Sequence, residues 1–528
     1  MTAANAFDHL AEALVRAGTR RIFGLPGGGP NLALIEAARR RGVEFVLAHG
    51  ETAACIMASA YGYLTGHPSA AIVTRGPGAA AAVNGAAQAT LDRHPLVLVT
   101  DTVPAADAPR VPHQRIRQGA MLAPVTKCSV VATDRTDAAT LDDLLALALT
   151  PPAGAVHLDL DPAAPDPTPA PLAPPAAAPP PEAEMAAAAA MVASAEHPLV
   201  VVGLGALDRP VELARALERF GAPVLLTYQA VGALPSEHRL TAGLFTNGAS
   251  ERPLLDRSDL VVAIGLDMVE PIPAPWDVSA PVLSLASHPT TDPYLPIARE
   301  IVGDPTVLAD RILVGPHAWA PHDGARHREL VRAALAAHPA PVDRGLSPVE
   351  LVRVAAARTP DRSTVTVDAG AHFLAVMPFW PVAEPRRLLI SNGLATMGYA
   401  LPAAVGAALA RPGEPVLCLV GDGGLGMTLA ELETAARLEL PLTVVVFNDS
   451  ALSLIRIKQG EGGGGPGAVA YRPTDFAALA RAQGLDATSV SDRDGIDHAL
   501  SGGWDRPRLI DARIDPGPYP HLLAVTRG

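Results

Sequence analysis

The chain has 528 residues, of which 49% are hydrophobic and 18% are charged. This composition supplies sizeable cores and excludes a wholly disordered chain, and at about 150 residues per domain the length indicates three or four domains. The 41 Lys and Arg against 54 Asp and Glu give a net charge of −13. Because nucleic-acid-binding faces are basic, we expect no nucleic-acid partner.

Strands and helices alternate through residues 1–162. Apolar residues recur at helical spacing between Phe7 and Val15, and Gly18 ends the pattern. Further helices are predicted at 32–41 and 52–64, and strands at 21–24, 45–47, 70–74 and 96–100. This alternation indicates a parallel α/β sheet.

Two further blocks continue the alternation. Residues 163–183 are dominated by Pro and Ala and predict a linker, which a central domain follows at 184–315. A polar stretch at 316–345 predicts a second link before a third domain at 346–528. The strands predicted in these two domains are 199–202, 224–226, 260–264, 282–285, 365–367, 416–420, 442–447 and 509–511. We therefore predict an α/β protein of three doubly wound parallel-sheet domains.

We expect a cytoplasmic protein without membrane attachment. Its three cysteines are too few and too scattered for a disulfide framework or a zinc site. Residues 1–20 lack the basic stretch and apolar run of a secretory signal. The charge-free run from Leu388 to Ala410 contains Asn392, Gly393 and Pro402, which break the pattern of a membrane span. A buried loop followed by a helix is expected there instead.

The strongest motif joins the ends of two predicted strands in the third domain. Gly421-Asp422-Gly423 ends the strand at 416–420, and after 24 further residues Asn448-Asp449 ends the strand at 442–447. Strand ends that supply carboxylate oxygens and free N–H groups suit a magnesium-bound diphosphate. Taken alone, the same residues are equally consistent with two ordinary turns.

The segments around this motif resemble a known family. Gly-Asp-Gly followed 24 residues later by Asn-Asp is similar to the thiamine diphosphate signature, in which the second half is more often Asn-Asn. Three other segments are similar to the same family, namely His49-Gly50-Glu51-Thr52-Ala53-Ala54, Arg75-Gly76-Pro77-Gly78-Ala79 and the stretch from Gly393 to Ala404. Over its whole length the chain resembles the acetolactate synthase, pyruvate decarboxylase and benzoylformate decarboxylase superfamily, and within it the acetolactate synthase-like large-subunit branch.

The resemblance implies a pyrimidine-binding, a central Rossmann-like and a diphosphate-binding domain, in that order, with thiamine diphosphate and Mg²⁺ as cofactors. It implies that Glu51 hydrogen-bonds N1′ of the aminopyrimidine ring, where a carboxylate favours the imino tautomer that can take the proton from thiazolium C2. Some relatives bind FAD in the central domain. Gly203-Leu204-Gly205 is only half of a dinucleotide fingerprint, so we expect no FAD here.

By the same resemblance, Met397 props the cofactor into a bent shape, and Asp422, Asp449 and the carbonyl of Ala451 ligate the metal. The chain departs from the family at Asp449 and at Ala371, where the family has glutamine. The expected cofactor-binding residues are Pro26, Gly27, Glu51, Pro77, Gly370, Ala371, His372, Ala395, Met397, Gly421, Asp422, Gly423, Gly424, Asp449, Ala451, Leu452, Ser453 and Leu454.

Two neighbouring residues are the expected catalytic groups on the substrate side, in addition to Glu51. Gln114 matches a glutamine of acetolactate synthases, and His113 matches a histidine of pyruvate decarboxylases. A histidine there would move a proton in decarboxylation or carboligation, and the alternative is a surface-loop histidine. Arg75 stands where benzoylformate decarboxylases have a catalytic histidine, which argues against their mechanism. Lys458 replaces the tryptophan with which acetolactate synthases select a second 2-oxo acid, which argues against branched-chain biosynthesis.

The resemblance predicts a carboligase that decarboxylates a 2-oxo acid donor and transfers its acyl group to a second carbonyl. The alternative, which His113 supports, is a non-oxidative 2-oxo acid decarboxylase that releases an aldehyde. Retention of Glu51, Met397 and Asp422 argues against a third alternative, an inactive relative. Because the family's site forms between two chains, a homodimer or homotetramer is expected. The glycine-rich stretch 460–467 falls where the family has a mobile lid.

Overall fold

The computed structural model describes residues 5–104, 106–164, 178–291, 293, 295–338, 345–459 and 466–528. These residues form three α/β domains, each built around a six-stranded sheet in which every paired strand is parallel. The predicted fold class is therefore confirmed. Residues 165–177 of the predicted linker and 460–465 of the predicted lid lie outside the described residues.

The sheet of the first domain has the strand order β2-β1-β3-β4-β6-β5. Its strands are β1 (Arg21–Leu25), β2 (Glu44–Leu47), β3 (Ala70–Val73), β4 (Leu96–Asp101), β5 (Ser129–Ala132) and β6 (Ala155–Leu160). Its helices are α1 (Ala6–Arg16), α2 (Pro30–Arg40), α3 (Glu51–Thr65), α4 (Pro77–Ala81), α5 (Val83–Leu91), α6 (Gln118–Leu122) and α7 (Ala138–Leu149).

The central sheet has the order β12-β11-β10-β7-β8-β9. Its strands are β7 (Pro198–Val202), β8 (Val224–Leu226), β9 (Thr241–Leu244), β10 (Leu260–Ile264), β11 (Val282–Ala286) and β12 (Ile297–Val302). Its helices are α8 (Glu182–Ala193), α9 (Pro210–Phe220), α10 (Arg252–Leu255) and α11 (Pro305–Ile312). β7 and β10 are buried along their whole length, as their unbroken apolar sequences require in a sheet covered on both faces.

The third sheet has the order β14-β13-β15-β16-β18-β17. Its strands are β13 (Thr364–Val367), β14 (Leu388–Ile390), β15 (Val416–Gly421), β16 (Leu442–Asn448), β17 (Asp486–Val490) and β18 (Arg508–Arg513). The helices that precede it or connect its strands are α12 (Asp323–Ala336), α13 (Pro348–Arg358), α14 (Phe373–Phe379), α15 (Ala400–Ala410), α16 (Asp422–Thr428), α17 (Glu431–Arg437), α18 (Ser453–Gln459), α19 (Phe476–Ala482), α20 (Arg493–Leu500) and α21 (Tyr519–Arg527).

The stretch 316–345, which the sequence predicts to be a link, contains the 14-residue helix α12. Its Arg328 donates hydrogen bonds to the carbonyl oxygens of His238 and Thr241 at 2.9 and 2.8 Å. These hydrogen bonds attach the helix to the central sheet beside β9. The helix consists mainly of charged and small residues, so composition alone does not predict that it packs there.

Helices α3 and α15 join the first and third domains into one hydrophobic core. Gly406 makes their close approach possible, because a methyl group at this position would lie 2.5 Å from the carbonyl oxygen of Met57. The run from Leu388 to Ala410 is a short strand, a loop and α15. The helix is buried as predicted, whereas the loop is only partly buried and its Ala395 is exposed. Among the described residues, no helix is long and apolar enough to cross a membrane.

Candidate active site

Two carboxylates lie at the carboxyl ends of neighbouring strands in the third sheet. Asp422 begins α16 directly after β15, and Asp449 follows β16, which pairs with β15. Burial, together with the charge of Asp449, raises the pKa of Asp422 to about 6, and burial also raises the pKa of Asp449. Two buried carboxylates repel each other, and their hard oxygens suit a divalent cation between them.

Hydrogen bonds hold the two acidic residues in one cluster. The Asp422 carboxylate accepts from the N–H of Gly423 at 2.7 Å and from the N–H of Ala451 at 3.2 Å. The Ser453 hydroxyl donates to Asp449. No group of three or more His, Cys, Asp and Glu side chains within the described residues could hold a metal, so main-chain or cofactor oxygens would have to complete the set of ligands.

Two predicted side chains converge over the start of α16. A methyl group on Gly423 would lie 2.9 Å from Cδ2 of Leu452 and 3.4 Å from Cε of Met397. The absence of a side chain at Gly423 therefore lets these two apolar side chains pack closely against the first turn of α16.

His372 contributes an unsatisfied nitrogen beside the same strand ends. Its ring stacks on Phe447 with centroids 5.2 Å apart, and a methyl group on Gly370 would lie 2.8 Å from it. Burial lowers the pKa of His372 to about 4. Its Nε2 is buried and has no hydrogen-bond partner among the described residues, which costs about 1 to 3 kcal/mol until a polar ligand group satisfies it. Gly370 and the buried Ala371 lie between β13 and this ring.

Asp368, which no motif marks in the sequence, fixes the loop that carries Met397. It follows β13, and its buried carboxylate accepts from the N–H of Gly398 at 3.0 Å and of Tyr399 at 3.2 Å. Burial raises the pKa of Asp368 to about 7. A methyl group on Gly424 would clash with this carboxylate, so the glycine allows α16 and the Met397 loop to meet.

The first domain holds the same loop from the other side. The N–H of Gly393 donates to Asp92 at 2.6 Å, and the hydroxyl of Thr396 donates to Asn84 at 2.8 Å. Between these two anchors Ala395 is exposed and has φ = 52°, a conformation that residues other than glycine rarely adopt. Such strain persists where surrounding contacts impose it, often at functional sites.

Glu51 is the first residue of α3, and the third domain of the same chain fixes its position. Oε1 of Glu431 accepts from the N–H of His49 at 3.0 Å and from the N–H of Gly50 at 3.1 Å. These amides precede the helix and have no partner within it, so a carboxylate from another domain satisfies them. The backbone that presents Glu51 is thereby tied to α17.

The loop from Arg75 to Gly78 lies against Glu51 and Gln114. A methyl group on Gly78 would be 3.4 Å from Oε1 of Glu51, and one on Gly76 would be 2.6 Å from the carbonyl oxygen of Gln114. Gly76 has φ = 67° and Gln114 has φ = 56°. The structure therefore places Glu51 and Gln114 against the same loop, which also contains Pro77.

The side chain of Gln118, which no sequence motif marks, fixes this loop through hydrogen bonds. Its Oε1 accepts from the N–H of Gly76 at 3.2 Å. Its Nε2 donates to the carbonyl oxygen of Asp101 at 2.8 Å and to Asp159 at 2.5 Å. The side chain is buried, so both of its ends are satisfied by protein alone.

The remaining predicted residues differ in exposure. Pro26 and Gly27 directly follow β1, and the N–H of Gly27 donates to Asn31 at 2.8 Å. Leu454 is half-buried, whereas His113 and Lys458 are exposed. The structure thus holds Gln114 in place and leaves its neighbour His113 at the surface.

These residues fit thiamine diphosphate, the cofactor that the resemblance implies. The acidic pair Asp422 and Asp449 and the unsatisfied Nε2 of His372 suit a metal-bound diphosphate. The carboxylate of Glu51 suits a ring nitrogen that donates a hydrogen bond. Three residues that the sequence analysis missed support these groups, namely Asp368, Glu431 and Gln118. Their only sequence signal is a polar residue after a strand or in the first turn of a helix.

Comparisons with known proteins agree with the three-domain architecture. The N-terminal TPP-binding domain of thiamine pyrophosphate enzymes matches residues 4–121, the central domain matches 185–312, and the C-terminal TPP-binding domain matches 368–512. Thiamine pyrophosphate is another name for thiamine diphosphate.

Curated relatives match over nearly their whole length. Acetolactate synthase of Bacillus subtilis (strain 168) is 29% identical over 553 residues, covering 96% of this chain and 92% of the relative. The probable 2-ketoarginine decarboxylase AruI of Pseudomonas aeruginosa is 30% identical over 527 residues, covering 96% and 93%. The 2-hydroxyacyl-CoA lyase of Oryza sativa subsp. japonica is 29% identical over 557 residues, covering 96% and 94%. The chain therefore belongs to the thiamine pyrophosphate enzymes and is similar to acetolactate synthases within that family.

Proposed function

We propose that this enzyme uses thiamine diphosphate and Mg²⁺ to decarboxylate a 2-oxo acid and to transfer the acyl group to a second carbonyl. The observation that carries the proposal is the double fixation of Glu51. Glu431 binds the amides that precede it, and the loop at Gly78 lies against its carboxylate. A carboxylate held in this way can keep its place while it exchanges a proton with a ring nitrogen.

The bound cofactor supplies the carbon nucleophile and the electron sink of the reaction. In our proposal the Glu51 carboxylate holds a proton at the aminopyrimidine nitrogen, while Asp422 and Asp449 bind Mg²⁺ through their oxygens. His372 meets the diphosphate with Nε2. Met397 and Leu452 orient the cofactor and exclude water between α16 and the Met397 loop.

The position of Gln114 supports carboligation over simple decarboxylation. Its main chain is packed against Gly76, within the loop that contacts Glu51. In our proposal the Gln114 amide hydrogen-bonds an acceptor carbonyl beside the reacting carbon. The likeness to acetolactate synthases supports the same reaction.

Non-oxidative decarboxylation is the second candidate. A relative of 30% identity is named as a probable 2-ketoarginine decarboxylase, and one of 29% identity as a 2-hydroxyacyl-CoA lyase. His113 is exposed beside Gln114, and its imidazole is free to protonate the donor-derived carbon. This reaction needs no acceptor and releases an aldehyde.

We also propose that the active unit is a homodimer or homotetramer with sites between chains. Large apolar side chains lie exposed around the diphosphate half of the site, where Met427 is 61%, Tyr471 48% and Ile455 45% exposed. Exposed apolar residues also lie elsewhere on the described surface, but those beside the site support a partner chain there. Sedimentation of the full chain tests the assembly, and a monomer that is fully active would contradict it.

The distinguishing experiment measures carbon dioxide and product masses for a panel of 2-oxo acids, including pyruvate, with thiamine diphosphate and Mg²⁺. Carboligation predicts a product heavier than the decarboxylated aldehyde. Aldehyde alone would favour decarboxylation. The matched variants are Gln114→Ala and His113→Ala. Carboligation predicts that the first lowers the yield of the heavier product, whereas simple decarboxylation predicts that the second lowers the release of aldehyde.

A further inference from the structure

The strand order of the central domain reverses at one point in the sheet, where related folds have a ligand-binding crevice. The chain runs from β7 to β8 and β9 on one side of the sheet, and from β10 to β11 and β12 on the other. Doubly wound domains bind ligands outside the carboxyl ends of the strands at such a reversal. Here the reversal lies between β7 and β10, which Gly203 and Gly265 follow.

The carboxyl group of Glu270 occupies this crevice. Both of its oxygens accept from the N–H of Leu204 at 3.1 Å, and Oε2 accepts from the N–H of Asp267 at 2.9 Å. The hydroxyl of Thr227 donates to Oε1. The donors follow β7, β10 and β8, so Glu270 spans three strand ends.

The crevice is fitted closely around Glu270. The residue is 1% exposed, and a methyl group on Gly203 would lie 2.5 Å from its Oε2. Main-chain N–H groups at strand ends are the donors that a nucleotide phosphate uses in such domains. The first glycine of the half fingerprint therefore makes room for a side chain of this protein.

The turn at 267–270 also touches the other two domains. Arg93, in the first domain, forms an ion pair with Asp267 at 2.7 and 3.0 Å. Asn392, in the third domain, donates from Nδ2 to the carbonyl oxygen of Glu270 at 3.0 Å. The next residue, Gly393, opens the loop that carries Ala395 and Met397.

We propose that Glu270 is a built-in ligand of the central domain, which closes the crevice to nucleotide phosphates and positions the turn at 267–270 to anchor the cofactor-binding loop. The chain therefore takes no FAD at this reversal point. Glu270 is a positioning residue, since it acts on the cofactor site through Asn392. The anchoring part rests on the proposed function, whereas the closure of the crevice does not.

Closure is tested on the full wild-type chain by calorimetric titration with FAD and with ADP. No saturable heat is expected, and saturable binding of either probe would overturn the closure. In Glu270→Ala, formate taken up with a proton should refill the carboxyl site, so it should raise the unfolding temperature of this variant more than that of the wild type. An equal response of the two proteins would contradict a carboxyl-binding site.

The anchoring of the cofactor-binding loop is tested by measuring the affinity of the wild type and of three variants for thiamine diphosphate. Glu270→Ala and Asn392→Ala should each weaken it about three- to tenfold, as expected for one or two lost hydrogen bonds. The matched control is Glu251→Ala, because Glu251 is equally buried in the central domain and accepts main-chain N–H groups from Thr246 and Gly248. This control should lose stability and keep its affinity.

Unchanged affinity for thiamine diphosphate in Asn392→Ala would overturn the anchoring. This variant keeps Glu270 in the crevice, so it tests the anchoring even if Glu270→Ala does not fold. Loss of affinity in Glu251→Ala to the same degree would also contradict it, since any damage to the central domain would then suffice. A wild-type chain that binds no thiamine diphosphate would instead refute the proposed function, and the FAD and formate results would still stand.

Discussion

The amide of Gly50 donates a hydrogen bond of 3.1 Å to the carboxylate of Glu431, 381 residues further along the chain. The next residue is Glu51, so the third domain sets where the first domain presents its carboxylate. The same oxygen of Glu431 binds the amide of His49, and its second oxygen accepts from Thr434 at 2.8 Å. Glu431 therefore ties the start of α3 to the third domain of the same chain.

Replacing Glu431 with alanine should lower both turnover and stability. Two partly buried amides lose their acceptor, which costs about 1 kcal/mol in unfolding free energy, and the start of α3 loses its anchor. Urea unfolding and steady-state kinetics measure the two effects. The control is Glu433→Ala, because Glu433 is exposed and pairs with His49 and Arg437, for which about 1 kcal/mol or less is expected. Equal turnover in Glu431→Ala and the wild type would contradict the anchoring of Glu51.

Replacing Gln118 with alanine should disturb the loop from Arg75 to Gly78. The buried N–H of Gly76 and the oxygens of Asp101 and Asp159 lose their partner, and about 1 to 3 kcal/mol of stability should be lost. The comparison is Gln483→Ala, since Gln483 accepts a similar bond of 3.2 Å from Glu433 but is half-buried. We expect a lower kcat in Gln118→Ala alone, and a fall of the same size in both variants would argue against a role at the loop.

The acidic pair should make cofactor binding dependent on a divalent cation. Chelation with EDTA should weaken thiamine diphosphate binding, and Asp422→Ala should weaken it at least about tenfold, which is about 1.4 kcal/mol. Asp449→Asn keeps an oxygen ligand and should bind in the presence of Mg²⁺. Calorimetric titration checks this series, with the exposed Asp494→Asn as control. Binding that EDTA leaves unchanged would refute the metal roles of Asp422 and Asp449.

Glu270 should make stability fall as pH rises. Burial raises the pKa of Glu270 from 4.5 to about 8, so between these values the folded chain keeps a proton that the unfolded chain has lost. The unfolding free energy then decreases with rising pH, by at most about 1.4 kcal/mol per pH unit from this group. Asp92 and Asp368 have raised pKa values for the same reason and add to the slope.

The comparison of wild type with Glu270→Gln isolates this contribution. Glutamine does not titrate, so urea unfolding across the window from about pH 5 to about pH 8 should give a flatter slope in the variant. Identical slopes in the two proteins would show that Glu270 does not keep its proton in the fold.

Longer apolar strands could be predicted from sequence more readily than short or weakly patterned ones. β10 and β16 consist mainly of Val, Leu, Ile and Phe, and their positions agree with the prediction. The prediction missed six strands. β5, β6 and β12 mix apolar with polar residues, β14 has only three residues, β9 contains a glycine, and β17 is half exposed and polar. Packing against neighbouring strands decides such segments, so local pattern alone does not reveal them.

The chemistry of the site was more visible in sequence than its supports. Asp422 and Glu51 stand inside recognisable segments, because the cofactor constrains the residues that surround them. Glu431 and Glu270 bind amides 381 and 66 residues away, and no local spacing encodes such partners. Their roles follow from how the domains pack.

The most direct test of a thiamine diphosphate-dependent decarboxylation is carbon dioxide release by Glu51→Gln beside the wild type. We predict that the variant folds and binds the cofactor, and that its turnover falls about 10²- to 10⁴-fold, the range for a proton-transfer group. Glu182→Gln is the matched control, because Glu182 is also the first residue of a helix and is exposed; it should turn over at the wild-type rate. Wild-type carbon dioxide release by Glu51→Gln would contradict the account.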